Sequence, residues 1–205
     1  MMIREVFLGK APSSFHINPI VKAFIVSESF LWAAWNFVAP IFAIFATTNI
    51  AGGQIQIAAS AYSVHLIVRV ITELIIARIA TKGSDRKLLM FTMLGISLMT
   101  IAYVGFAMSF TIMHLFIFYA VAGIGFGIAS PPKGALFSEH LDKEKATVEW
   151  GLADATAFIA IALAAALGGF IAESYGFRLL FILSAIVNIV SLTPYALLVF
   201  YKKKA

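Results

Sequence analysis

The chain's ionisable chemistry is concentrated in a few side chains set among apolar residues. Glu28 is the sharpest case. Trp32, Trp35 and Asn36 follow it at i+4, i+7 and i+8, so the four share one face of a helix. The grouping reads as a proton or cation site at Glu28, with the indoles and the amide contacting a solute. The plainer alternative is a static pair between Glu28 and some basic residue. A second set, Tyr62, His65, Arg69 and Glu73, again follows one helical face. Histidine titrates near neutral pH, so this set reads as a relay in which Arg69 holds an anion or compensates Glu28. The alternative here is an intrahelical Arg69–Glu73 pair. A guanidinium does not lose its proton in proteins, so a carboxylate or anion beside Arg69 is close to obligatory. Glu73 and Glu28 are the candidates.

Other residues suggest gating and bending. Asp154 stands four residues into an apolar stretch. It either favours a helix N-terminus or latches to Arg78 or Arg86 as a gate, with Asp85 an alternative acid in that latch. Pro40 and the pair Pro131-Pro132 interrupt two apolar stretches about 20 residues in, which marks hinge positions. Gly123, Gly125 and Gly127 fit close helix packing better than ligand contact. Asn188 reads as an interhelical hydrogen-bonding residue. His114 is expected at a segment end, and His16 and His140 in solvent. No nucleophile, phosphate loop or metal-ligand spacing stands out. The sequence calls for no cofactor and no metal, and it does not read as an enzyme.

The elements that must position these residues follow from composition. Of 205 residues, 61% are hydrophobic and only 12% charged, with mean hydropathy +0.96. A soluble domain is nearer one-half apolar and one-quarter charged. The excess must face lipid, whose core of about 30 Å takes roughly 20 helical residues. Six segments meet that length: Pro19–Ala46, Ile57–Ala80, Leu88–Met108, Thr111–Ser130, Trp150–Ala172 and Arg178–Phe200. Glu28 then lies roughly 13 Å inside the first. An ionised group at such depth costs at least about 2.5–3.5 kcal/mol on insertion scales, so it should face protein, water or a partner. The longest connector is expected over Pro131–Glu149, although Leu136, Phe137 and Leu141 keep a helical spacing. The chain divides into an N-terminal segment 1–18, a six-helix membrane domain 19–200 and a basic tail 201–205. There is no cysteine, hence no disulfide or thiolate site.

Basic residues set the orientation. If the N-terminus is cytoplasmic, all 15 lysines and arginines except Arg69 and Arg178 fall at or next to cytoplasmic ends. Lys133, Lys143 and Lys145 count there as connector residues. Both termini are therefore expected in the cytoplasm of a multi-pass cell-membrane protein. The net charge of +5 tracks one membrane face, which argues against a nucleic-acid partner.

Three motifs carry a family resemblance. The loop from Ala77 to Lys87 resembles the G-x-L-a-D-r-x-G-r-r-k signature of the major facilitator superfamily. Arg86, Lys87 and Leu88-Leu89 match it. Ala77 replaces its glycine, Thr81 its acid, and Asp85 stands at a usually basic place. In the fifth segment Ala160, Ala164, Ala165, Gly168 and Gly169 fall on the small positions of g-x-x-x-G-P-x-x-G-G, without the proline. Gly176-Phe177-Arg178 is similar to the G-W-R that opens the sixth helix. The resemblance implies an all-α fold of two inverted three-helix repeats, forming one half of a twelve-helix transporter. It also implies a first helix lining a central cavity, with the solute path lying between two halves.

The implied function is secondary transport of a small organic solute, by symport or antiport coupled to a proton or ion gradient. The expected partners are that solute, the lipid bilayer, and a second copy or a separate six-helix half. The rival reading is a membrane interaction or regulatory protein that transports nothing. Either way, the charge asymmetry gives a topology test. A cysteine at Ser84 should resist an impermeant thiol label in intact cells, whereas one at Gly52 should react. The reverse pattern would overturn the orientation.

Overall fold

The computed structural model describes residues 17–81 and 83–201, and among these every regular element is a helix. His16, Lys82, most of the expected 1–18 segment and most of the basic tail lie outside the described residues. Helix α1 (Pro19–Asn36) opens with proline in its first turn, and the Asn18 side chain accepts from Ile20 N at 2.9 Å. Proline has no N–H and cannot continue the helical ladder. At Pro40 the chain accordingly passes through a 3-10 turn (Ala39–Ile41) before α2 (Phe42–Asn49). The 26-residue α3 (Ile55–Ala80) follows. Ser84 then caps α4 (Asp85–Ala107). Helices α5 (Ile112–His140) and α6 (Ala146–Tyr175) come next. Gly176, at φ +86°, turns the chain into α7 (Phe177–Val190), and α8 (Thr193–Tyr201) follows.

Among the described residues, five stretches are long and apolar enough to cross a membrane: Pro19–Asn49, Asp85–Ala107, Ile112–His140, Ala146–Tyr175 and Phe177–Val199. The sixth expected crossing corresponds to α3, which is long but carries Arg69, Glu73 and Arg78. Two expectations need correction. The connector expected from Pro131 is helix as far as His140, and the real connector is only a few residues long. Successive prolines each remove one N–H, but neighbouring helices hold this one together, and Pro132 is buried. The last segment, expected to be continuous, is interrupted between α7 and α8. There Ser27 Oγ reaches across from α1 and donates to the Ser191 carbonyl at 2.7 Å.

Helix α5 packs along α3 and α4, α1 packs along α6, α7 and α8, and α4 meets α7. Exchanging the first three long elements with the last three maps these pairings onto one another, although α6 also meets α7 while α3 and α4 do not pair to that extent. Ala51 N donates to the Phe110 carbonyl at 3.1 Å, so the loops after α2 and α4 meet at one end of the bundle. Asn188, fully buried, donates to the Ile96 carbonyl at 2.9 Å and to Thr100 Oγ1 at 2.8 Å, the interhelical role its type suggested. Large apolar side chains cover the outside, among them Ile67, Leu74, Phe158 and Leu163. Facing them to lipid or to another helix keeps that surface out of water.

Glycines set the spacing around α5. A Cβ added to Gly123 would lie 2.5 Å from the His65 carbonyl oxygen of α3, and one on Gly125 would lie 2.7 Å from the Gly95 oxygen of α4. Helix α5 is thus wedged between two backbones. Gly123→Ala and Gly125→Ala are each expected to destabilise by about 1–3 kcal/mol through overpacking. Gly151→Ala, which meets nothing within 4 Å, is expected to have no such effect. Thermal unfolding in detergent distinguishes them.

Candidate functional site

The two residue sets singled out in the sequence come together over α5. Side chains of α1 and α3 meet above one face of that helix, where Tyr119, Phe126, Ser130 and Lys133 recur at helical intervals. The site has three levels along the bundle.

At the first level, the Glu28 carboxylate is fully engaged. Lys133 Nζ donates to Oε1 at 2.5 Å and Trp32 Nε1 donates to Oε2 at 3.1 Å. Both charged side chains are about nine-tenths buried. A lone charge here would be expensive, whereas a hydrogen-bonded pair is tolerated. The middle level belongs to Arg69. Its Nε donates to Glu73 Oε1 at 3.0 Å, its Nη2 donates to Ser130 Oγ at 3.4 Å, and its guanidinium lies 5.1 Å from the centre of the Phe126 ring. This pair is nearly one-third exposed, so it is wetter and weaker than the first.

The third level is aromatic. His65, 1% exposed, stacks on Trp35 at 5.0 Å and on Tyr62 at 5.7 Å, with Phe126 at 5.5 Å and Tyr119 at 5.9 Å. Its Nδ1 has no hydrogen-bond partner among the described residues. Phe126 joins all three levels, since its ring also neighbours Trp32 at 6.3 Å and Trp35 at 5.1 Å.

Several expectations change with this geometry. Arg69 does not compensate Glu28: it pairs with Glu73, and Lys133 takes the Glu28 role. Lys133 is not a connector residue but a buried one on α5. The asparagine of the first set turns back on its own helix, since Asn36 Nδ2 donates to the Trp32 carbonyl at 2.9 Å. Asp154 lies two turns into α6, because that helix begins at Ala146 rather than Trp150. It is exposed and forms no ion pair with Arg78 or Arg86 among the described residues. Asp85 Oδ2 instead faces His140 Nε2 at 3.3 Å, which takes His140 out of bulk solvent. Pro40 sits at the break between α1 and α2, whereas Pro131 and Pro132 sit in unbroken helix.

Sequence reasoning missed Lys133, Ser130, Phe126 and Tyr119. The helical spacing that continues through Leu136 and Phe137 was the available signal, together with the need of Glu28 for a cation. Asp85, Glu139 and His140 bring one ligand atom each within 4.8 Å of one another. That group has a composition able to hold a divalent cation. The Asp85–His140 contact already gives it an internal pairing.

Among the described residues every regular element is a helix, and several stretches are long and apolar enough to cross a membrane, which defines a multi-pass membrane protein. It belongs to the major facilitator superfamily of membrane transporters: the model of that family matches residues 24–205. A search of curated proteins finds no match.

The buried pair has a measurable signature. Lys133→Met strands the Glu28 charge and is expected to destabilise by about 3–5 kcal/mol. Adding Glu28→Gln should recover much of that loss, as read by thermal unfolding in detergent. Strictly additive losses would show that the two groups act independently.

Proposed function

We propose that this chain is a secondary transporter of a small organic solute, driven by a proton or ion gradient through Glu28. The observation that carries the reading is the Glu28–Lys133 pair, which is buried at one end of a cluster of aromatic side chains that begins with Trp32 and Phe126. Protonation of Glu28 removes its charge and leaves Lys133 buried without a counter-ion. That destabilises the packing of α1 on α5, and wetting the site relieves the unpaired ammonium. A carboxylate that gains its proton in one packing and loses it in the other can couple solute movement to a gradient. Arg69, wetter and already held by Glu73, is placed to meet a polar group of the solute. The break at Pro40 provides a hinge in the first crossing, and Pro131-Pro132 a second weak point in α5. Arg78, Arg86, Asp85 and Asp154 form the gating end, with Asp154 pairing only in another packing of the bundle.

Family membership supports the remaining architecture of this reading. Helix α3 serves as the sixth crossing, and the exchange symmetry of the helix pairings supports two inverted three-helix repeats. Both termini face the cytoplasm of the cell membrane. A second six-helix half, most simply a second copy, completes the solute path. The rival reading, a membrane protein that regulates without transporting, draws on Thr81. Its hydroxyl bonds within its own helix, to the Ala77 carbonyl at 2.6 Å, where the family signature carries an acid.

Proteoliposomes with an imposed pH gradient decide between them. In a broad uptake screen the wild type should accumulate a solute. Glu28→Gln should still exchange that solute across the membrane but no longer concentrate it. Undiminished accumulation by Glu28→Gln would make the residue structural. A wild type that moves nothing would favour the regulatory reading.

A further inference from the structure

An opening of about 380 Å³ lies between α2 and the start of α3, beside the aromatic level of the site. Its volume falls within the range of about 300–1,000 Å³ typical of small-molecule sites. Four rings line it: Trp35, Phe42, Tyr62 and Tyr119. Alanines make up the flanks, with Ala39 and Ala43 on one side and Ala58 and Ala59 on the other. Small residues opposite rings leave a slot. No charged side chain lines it among the described residues, and the nearest charge along α3, Arg69, is already paired.

We infer that this slot is the ring site of the solute, and that it takes a neutral, planar aromatic molecule bearing one polar group. The inference rests on the transporter reading and narrows its substrate class. The rings are set at steep angles to one another, 71° between Tyr62 and Tyr119 and 64° between Trp35 and Tyr119. An entering planar ring therefore meets both faces and edges, the arrangements that aromatic pairs prefer. An alkyl chain has no quadrupole and gains nothing from that geometry. An anion finds no counter-charge on the walls and would lose its hydration without compensation, and a cation would find ring faces but no carboxylate to balance its charge. For a polar partner, Tyr62 and Tyr119 each bring a phenol hydroxyl among the lining residues, and a hydroxyl or N–H on the solute can pair with them.

The test uses the full chain in lipid nanodiscs, titrated calorimetrically, with empty discs subtracted. The probes are 1-naphthol, naphthalene, 1-naphthoate, 1-naphthylmethylammonium and decan-1-ol. Naphthol should bind at least about tenfold more tightly than each of the others. Ala59→Phe or Ala43→Phe, which fill the slot from opposite flanks, and Trp35→Ala should each weaken naphthol by about tenfold or more. The helical circular dichroism should stay unchanged. Tyr62→Phe combined with Tyr119→Phe should erase the preference for naphthol over naphthalene. Equal binding of either charged analogue would overturn the neutral class, and equal binding of decanol would make the slot a lipid-tail groove. Naphthol binding that survives both filling variants would place it elsewhere and overturn the inference. Uptake is read separately. Naphthol binding without transport of any solute sustains the slot and sinks the transport reading, whereas transport of another solute without naphthol binding sinks the slot alone.

Discussion

A charge in hydrocarbon must be matched, and the Glu28–Lys133 pair shows how much of this structure follows from that demand. Neither group is stable alone at its depth, because desolvation would outweigh anything its neighbours offer. Meeting within hydrogen-bonding distance fixes where α1 lies against α5. It also fixes the Trp32 indole, which donates to the second carboxylate oxygen. The rotational setting of α1 then carries Trp35 toward His65, so one ion pair aligns the aromatic level above it.

Helix α5 makes this possible by being thin where it must pass its neighbours. Gly123 and Gly127 lie against the α3 backbone, and Gly125 against α4. The close approach brings Phe126 within reach of both α1 and α3. That ring touches a tryptophan pair, a histidine and a guanidinium. Changes at the ion pair and changes at the aromatic slot are therefore felt by the same side chain. Packed interiors switch between discrete arrangements rather than deforming smoothly, and a shared ring is a direct physical link between two such arrangements.

The charged residues fall into two classes by their surroundings. Arg69 and Glu73 are neighbours on one helix and partly exposed, so their pairing survives any rigid movement of α3. Glu28 and Lys133 belong to different helices and are buried, so their pairing depends on how those helices sit. Only the second kind reports a change in packing. The contact of Asp85 with His140 ties the start of α4 to the end of α5, near the loop that carries the family signature.

Much of this was legible from the residues alone. Apolar length determined that the chain is membrane-embedded, because an excess of hydrophobic surface has no other solvent. Periodicity placed Glu28 with Trp32 and His65 with Arg69 and Glu73, because residues four apart on a helix must share a face. The i, i+4 pairing of Arg69 with Glu73 was likewise a local matter, and local matters are written in spacing. What lay beyond reach was the identity of partners far apart in the chain. Lys133 is 105 residues from Glu28, and two adjacent prolines gave the stretch holding it the look of a connector. Local rules end a helix there. The packing of α5 between α3 and α4 carries it through instead, and so turns an expected loop lysine into a buried counter-ion. Spacing fixed which side chains share a helix face, while only the tertiary structure decided which faces meet, because that choice depends on the shape and charge of both surfaces at once.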